Sequence, residues 1–271
     1  MPSPDTITPA QLARLIGTPE APILLDVRIP EDVEADPRRL PASQAIPHAA
    51  MADRGPAYAG RSVVLICQRG QKLSHGAAAW LRHAGARAEV LEGGFLGWRE
   101  AGLPLVSPDR LPPRDAAGRT VWVTRARPKI DRIACPWLIR RFVDPDAVFL
   151  FVAASEVLAV AERFGATPFD IEGVFWSHRG EACSFDTMLE EFGLLTVPLA
   201  RLARIVRGAD TARPDLAPEA AGLLAISLGL SRMQRDDLAQ LDTAMPVYDA
   251  LYRWARDATA ETHNWPAPRA T

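Results

Sequence analysis

A cluster of prolines divides this chain. Four of them fall within residues 104–113: Pro104, Pro108, Pro112 and Pro113. Because proline lacks an amide hydrogen and fixes φ, this stretch disfavours both a helix and a central strand. We therefore predict a Pro-rich linker over 107–118, one domain over 1–106, a second over 119–258 and a loose tail over 259–271.

The overall charge and the lack of long apolar runs limit which molecules this protein is expected to bind. The 271 residues carry 31 basic and 33 acidic side chains, a net charge of −2, which argues against broad electrostatic capture of nucleic acid. No apolar run approaches the roughly 18–20 residues of a membrane span, and the first residues lack the basic and apolar regions of a secretory signal. We expect a cytoplasmic protein without a membrane or nucleic-acid partner, whose three cysteines stay reduced rather than forming a disulfide framework.

Short apolar runs alternate with helical patterns in the first half. Residues 23–27, 62–66 and 88–91 read as strands buried on both faces, and helices fit 74–83 and the region around Trp98. Such alternation predicts an α/β domain with a doubly wound parallel sheet and helices on both of its faces.

Cys67 occupies the position where such sheets place their chemistry. It directly follows the strand at 62–66, and ligands bind at the carboxyl ends of parallel strands. A tight loop running into a helix, with Arg69 and Lys72, can hold a thiolate that attacks sulfur or phosphorus. The alternative is a small buried cysteine that ends a strand.

Two chemistries compete for this loop. A phosphatase cradle needs a longer loop closed by an arginine six residues after the cysteine, where this chain has Leu73. The shorter loop, with Lys72 five residues after Cys67, fits a smaller oxyanion or a sulfane sulfur better.

Three motifs resemble the rhodanese-like sulfurtransferases: Leu-Asp-Val-Arg at 25–28, Cys-Gln-Arg-Gly-Gln-Lys-Leu-Ser at 67–74 and Leu-Glu-Gly-Gly-Phe-Leu-Gly-Trp at 91–98. The resemblance implies a rhodanese-like fold and a persulfide on Cys67. It implies transfer from a donor such as thiosulfate to a thiophilic acceptor, with no cofactor required. It also implies that five loop residues bind the substrate: Arg69, Gly70, Gln71, Lys72 and Leu73. Many members carry Ser or Thr where Leu73 stands, whereas here Ser74 follows it.

The second half reads as a mainly helical α+β domain. Strands are predicted at three stretches: 120–124, 148–152 and 173–177. Helices are predicted at four others: 155–164, 198–207, 214–230 and a long amphipathic stretch from Ser231 or Asp236 to about Asp257.

The segment after the first of these strands is basic. Arg125, Arg127, Lys129 and Arg132 are candidates to converge on an oxyanion such as sulfate, phosphate or chromate. Pro136 suits the first turn of a helix, which would set Cys135 near the N-cap and lower its pKa. Alternatively the helix begins at Asp131 and buries Cys135.

A histidine and a cysteine lie five residues apart further along. His178 and Cys183, near Asp170, Glu181 and Asp186, form half of a possible soft-metal site, to which the fold can add Cys135. The alternative is a structural turn without a metal.

Three stretches resemble the C-terminal domain of the ChrB chromate-resistance proteins: 122–144, 169–174 and 177–186. The resemblance implies a link to chromate- or sulfate-responsive control of chromate resistance. Longer members carry an N-terminal DNA-binding part, which this chain replaces with the rhodanese-like domain, so a transcription-factor role is not expected. The leading hypothesis is a sulfurtransferase coupled to an oxyanion-sensing or resistance domain. The alternatives are a non-catalytic chromate or sulfate sensor and a metalloenzyme centred on the second half.

Overall fold

The N-terminal domain is built on a five-stranded parallel sheet, in a computed structural model that describes residues 5–262. Its strands are β1 (Thr6–Ile7), β2 (Ile23–Asp26), β3 (Ser43–Ala45), β4 (Ser62–Ile66) and β5 (Arg87–Leu91). Their order is β1-β5-β4-β2-β3, and each neighbouring pair is parallel. Five helices connect or follow them: α1 (Pro9–Leu15), α2 (Pro30–Ala35), α3 (Met51–Arg54), α4 (Lys72–His83) and α5 (Gly94–Glu100).

Strand β4 shows why the sheet needs cover on both sides. Val63 and Leu65 join an apolar cluster that includes residues of α3 and α4. Val64 and Ile66 point to the opposite face and join a cluster that includes residues of α1 and α5. The predicted doubly wound sheet is confirmed.

The C-terminal domain combines a small parallel sheet with a larger helical body. The sheet has the order β7-β6-β8, with β6 (Val121–Arg125), β7 (Val148–Val152) and β8 (Thr167–Pro168). The helices are α6 (Asp131–Leu138), α7 (Val157–Phe164), α8 (Ser184–Glu191), α9 (Val197–Asp210), α10 (Ala220–Met233) and α11 (Asp237–Asp257). A π-helical turn over Ile139–Val143 extends α6, and 3-10 turns lie at His48–Ala50, Gly55–Tyr58, Pro108–Arg110, Ala154–Glu156 and Pro214–Leu216.

The strand predicted at 173–177 is wrong. Trp176 forms only an isolated bridge to Phe169 there. The run is apolar because Trp176 packs on the rings of Trp122 and Phe192, rather than because it pairs within a sheet.

The two domains share one hydrophobic cluster. The face of the sheet formed by Leu24, Val64 and Leu91 belongs to the same buried cluster as Trp122 and Phe142 of the C-terminal domain. The segment over 107–118 is held at two points, by ion pairs of Arg110 with Glu191 and of Arg114 with Asp144. The predicted tail lies mostly outside the described residues. Within the described residues, no helix has the length and apolarity needed to cross a membrane.

Candidate functional site

Cys67 stands at the carboxyl end of the central strand β4. Residues 67–71, here called the Cys67 loop, lead directly into α4, which begins at Lys72. Cys67 is buried, with 4% of the residue exposed. The strand, the loop and the helix thus place one sulfur atom beside the first turn of a helix, where amide hydrogens lack partners.

The turn between β5 and α5 packs against the Cys67 loop. Gly94 has φ +58°, and a Cβ there would overlap the carbonyl oxygen of Cys67. Gly70 has φ +66°, and a Cβ there would overlap the carbonyl oxygen of Leu91. The amide of Phe95 donates to the carbonyl of Cys67 at 2.9 Å. The two glycines therefore allow a close backbone contact that no larger residue permits.

Hydrogen-bonding groups surround the thiol. The amide of Gln71 donates to Cys67 Sγ at 3.3 Å, and Ser74 Oγ lies 3.1 Å from the same sulfur. Burial by itself opposes ionisation. The Ser74 hydroxyl and the amides of Gln71, Ser74 and Arg69 outweigh burial, so the pKa of Cys67 lies below its ordinary value.

The predicted substrate-binding residues occupy different positions around this sulfur. Arg69 and Lys72 are exposed and have no ion pair among the described residues, so both cations face solvent. Leu73 is half-buried and packs against the apolar cluster behind the loop. Ser74 is fully buried and contacts the thiol directly, which the sequence comparison at Leu73 had missed.

Cys135 does not sit at a helix N-cap. Helix α6 begins at Asp131, so Cys135 lies inside it and is fully buried. Burial, with the nearby carboxylate of Asp131 second, raises the pKa of this thiol well above its ordinary value. The alternative in which the helix begins at Asp131 and buries Cys135 is therefore confirmed, and the lowered pKa that an N-cap position would give is wrong.

The predicted oxyanion residues converge only in part. Arg125 and Arg132 both reach Asp170 Oδ2, at 3.4 and 3.3 Å. Arg127 turns away and donates to the carbonyl of Gln234, in the loop between α10 and α11. Lys129 is half-buried and makes no ion pair among residues 5–262. Two arginines therefore meet at a carboxylate rather than at an open anion site.

His178 lies among carboxylates rather than cysteines. Its Nε2 is 3.2 Å from Asp210 Oδ2, 3.4 Å from Asp170 Oδ1 and 3.5 Å from Asp131 Oδ2. The predicted set of His178, Cys135 and Cys183 does not form a ligand group, because the group that the described residues form contains Asp131, Asp170 and His178. We call Asp131, Asp170, His178 and Asp210 the His178 cluster.

Comparison with known families identifies both halves. The family model of the rhodanese-like domain matches residues 8–101, and that of the ChrB C-terminal domain matches residues 122–255. The chain joins a rhodanese-like domain to a ChrB C-terminal domain.

Each of the curated relatives matches only part of this chain. Protein ChrB of Cupriavidus metallidurans is 38% identical over 144 residues, which are 53% of this chain and 43% of that protein. The chain spans 43% and 59% of the lengths of the two curated relatives it matches.

Two solved structures align with the rhodanese-like domain. A rhodanese-related protein from Thermoplasma volcanium is 26% identical, with a TM-score of 0.33, over 37% of this chain and 96% of its own. A thiosulfate sulfurtransferase from Pseudomonas aeruginosa is 25% identical, with a TM-score of 0.32, over 39% of this chain and 20% of its own.

In the ChrB C-terminal domain, burial and like charge act together on Asp131. Its side chain is fully buried, and burial followed by the carboxylates of Asp210 and Asp170 raises its pKa well above the ordinary value. The pKa of His178 rises to about 10, because it faces the carboxylates of Asp170 and Asp210. The cluster therefore attracts positive charge strongly.

Ser184, the first residue of α8, connects two of these carboxylates. Its amide donates to Asp131 Oδ2 at 2.6 Å, and its hydroxyl donates to Asp170 Oδ1 at 2.8 Å. Asp170 and His178, together with Arg125 and Ser177, line a cleft of about 800 Å³. The cluster is thus rigidly held on its inner side and open to solvent on its outer side.

Proposed function

We propose that the rhodanese-like domain transfers sulfane sulfur through a persulfide on Cys67. The observation that supports this proposal is the set of contacts around Cys67 Sγ. The sulfur accepts a hydrogen bond from the Gln71 amide and contacts the Ser74 hydroxyl. These contacts lower the pKa of Cys67 and so favour the thiolate, which is the form that attacks sulfur.

In the first half-reaction, the Cys67 thiolate attacks the outer sulfur of a thiosulfate-like donor. A bond forms between Cys67 Sγ and that sulfur. The sulfur–sulfur bond of the donor breaks, and sulfite leaves with the bonding electron pair. In the second, a thiophilic acceptor such as cyanide or a thiolate attacks the outer sulfur of the persulfide. Cys67 leaves as a thiolate, so the cycle closes without a cofactor.

The loop supplies charge stabilisation at both stages. The attacking thiolate and the persulfide are anions, and the amides that lower the pKa of Cys67 belong to Arg69, Gln71 and Ser74. The exposed side chains of Arg69 and Lys72 raise the local concentration of an anionic donor.

The ChrB C-terminal domain connects this activity to chromate resistance. We propose that it senses or handles an oxyanion such as chromate or sulfate. The rival function is a non-catalytic sensor, in which the Cys67 loop binds an anion and performs no transfer.

The test is persulfide formation on the full-length reduced protein. After incubation with thiosulfate, mass spectrometry of peptides should find one added sulfur atom on Cys67, and addition of cyanide should release thiocyanate. Cys67→Ser should lose both signals. Cys183→Ser, which changes a buried thiol with a raised pKa, should keep them. Full transfer by Cys67→Ser would refute the proposal, and anion binding without turnover would favour the rival.

A further inference from the structure

Hydrogen bonding does not account for the position of the His178 ring. One ring nitrogen carries at most one hydrogen, yet Nε2 faces three carboxylate oxygens at 3.2, 3.4 and 3.5 Å. All three separations exceed the preferred N–H···O distance of about 2.9–3.0 Å. At most one of the carboxylates can therefore be held by a hydrogen bond from this nitrogen.

A single cation accounts for all three separations. Nitrogen and oxygen ligands lie about 2.0–2.2 Å from a first-row transition metal, so two ligands of one ion lie roughly 3.0–3.6 Å apart. The three observed distances fall within that range. We propose that Asp131, Asp170 and His178 bind one divalent transition-metal ion, with the carboxylate of Asp210 beside them as added negative charge.

The Asp131 carboxylate points independently to a bound ion. The side chain is fully buried; Oδ2, which faces His178, accepts from the Ser184 amide, and Oδ1 has no hydrogen-bond partner among the described residues beyond the weak donor that the Cys183 thiol offers this carboxylate. A buried carboxylate oxygen without a partner is costly, and it is rare in native proteins. A cation next to this carboxylate supplies the missing partner charge.

Asp210 is also placed where a carboxylate needs a cation. It is the last residue of α9, at the helix end that carries the negative partial charge. Its carboxylate nevertheless lies 3.2 Å from His178 Nε2, the same nitrogen that the buried Asp131 and Asp170 approach. The helix dipole and the neighbouring carboxylates oppose this arrangement, and a divalent ion compensates for both.

The surrounding contacts resemble those that orient metal ligands. Ser184 donates one hydrogen bond to Asp131 and one to Asp170. Arg125 and Arg132 both lie at Asp170 Oδ2, which leaves Oδ1 towards His178. Ligating carboxylates are commonly fixed by such outer contacts.

The donor set selects the class of metal. Carboxylate oxygens with one imidazole nitrogen suit Mn²⁺, Fe²⁺ or Zn²⁺, whereas a copper(I) site needs soft sulfur ligands. The His178 side chain is 41% exposed and lines the cleft with Asp170, so an ion can reach the site from solvent. The ion would keep a coordination position open towards that cleft.

The experiment titrates Mn²⁺ into chelator-treated full-length protein and follows binding by calorimetry. We expect one ion per chain in the wild type. We expect a loss of affinity of more than about 100-fold in His178→Ala, because a direct ligand contributes more than an outer contact. The matched control is His75→Ala, an exposed histidine on α4, which should bind like the wild type.

Two further measurements keep the proposal falsifiable if a variant folds poorly. Asp131→Asn keeps the shape of the side chain and should lose the rise in Tm that Mn²⁺ gives the wild type. The Co²⁺-substituted protein should lack thiolate charge-transfer absorption. Unchanged binding in His178→Ala, no binding by the wild type, or a thiolate–cobalt band would each overturn the proposal.

Discussion

The Cys67 loop stabilises a negative charge, whereas the His178 cluster concentrates negative charges that repel one another. In the loop, donors surround one buried sulfur and lower the pKa of Cys67 despite its burial. In the cluster, carboxylates crowd together and the pKa of the buried Asp131 rises. The loop stabilises negative charge with protein groups alone, whereas the metal ion proposed for the cluster would come from outside the chain.

The two sites also differ in how the chain assembles them. The Cys67 loop takes its donors from residues within seven positions of the cysteine. The His178 cluster takes its side chains from α6, from the segments after β8 and before α8, and from the end of α9. Contacts of the first kind are set by local backbone conformation, and contacts of the second kind need the whole domain. Substitutions should therefore damage one site and leave the other intact.

Gly94→Ala should have the largest effect on the Cys67 loop. A Cβ at Gly94 would overlap the Cys67 carbonyl, so the loop must shift, and a shift of about 1 Å in a reacting group can cost about 100-fold in rate. We expect thiocyanate production to fall about 100-fold and Mn²⁺ binding to stay unchanged.

Gly102→Ala is the matched control for this substitution. Gly102 has φ +66°, close to that of Gly94, but its added Cβ meets nothing within 4 Å. It should lose only the about 1–2 kcal/mol of stability that a left-handed conformation costs. Equal activity losses in both variants would mean that backbone strain, rather than loop contact, controls transfer.

Ser184→Ala should have the next largest effect, on the other site. It removes the hydroxyl that holds Asp170 Oδ1 but keeps the amide that donates to Asp131. Loss of such an outer contact typically costs about 10–100-fold in metal affinity. Calorimetry with Mn²⁺ measures the change, and sulfur transfer should be unaffected. Affinity equal to that of the wild type would show that Ser184 does not orient the ligand.

The difference in assembly also explains which parts the sequence predicted. The position of Cys67 follows from one strand and one motif, and the two-sided sheet follows from continuous apolar runs such as 62–66. The role of Ser74 was missed because the contact depends on where the helix begins. Only with α4 starting at Lys72 does the first turn bring the Ser74 hydroxyl to the sulfur.

The residues around His178 were predicted less well than those around Cys67, for a physical reason. Proximity in sequence suggested Cys183 as the partner of His178, whereas the fold brings Asp131 and Asp210 to it. Two backbone positions that place these side chains have positive φ: Ile130, which precedes Asp131, at 46°, and Asp170 itself, at 50°. For residues other than glycine this conformation needs tertiary support, so local propensity gives no signal of it.

Ser74→Ala should change the chemistry of Cys67 less than Gly94→Ala does. It removes one hydrogen-bond partner of the thiolate while Gln71 still donates, so the pKa of Cys67 should rise. Only the thiolate is alkylated, so the rate at neutral pH should fall, by up to about tenfold for the loss of one hydrogen bond of about 1.5 kcal/mol. The alkylation rate measured against pH should increase through a midpoint below the ordinary thiol value in the wild type and through a higher one in the variant. Coincident profiles would contradict the assigned role of Ser74.

Arg69→Ala should have the smallest effect, because Arg69 is exposed and solvent screens its charge. We expect the KM for thiosulfate to rise about twofold to fivefold, because one exposed charge contact contributes only about 0.2–1 kcal/mol to binding. The kcat should stay unchanged. The increase should vanish at high salt. Arg61→Ala, an exposed arginine just before β4 at the opposite end of that strand, should change neither constant. A fall in kcat instead would mean that Arg69 acts on the bound persulfide, and the loop would then depend on a side-chain cation as well as on its amides.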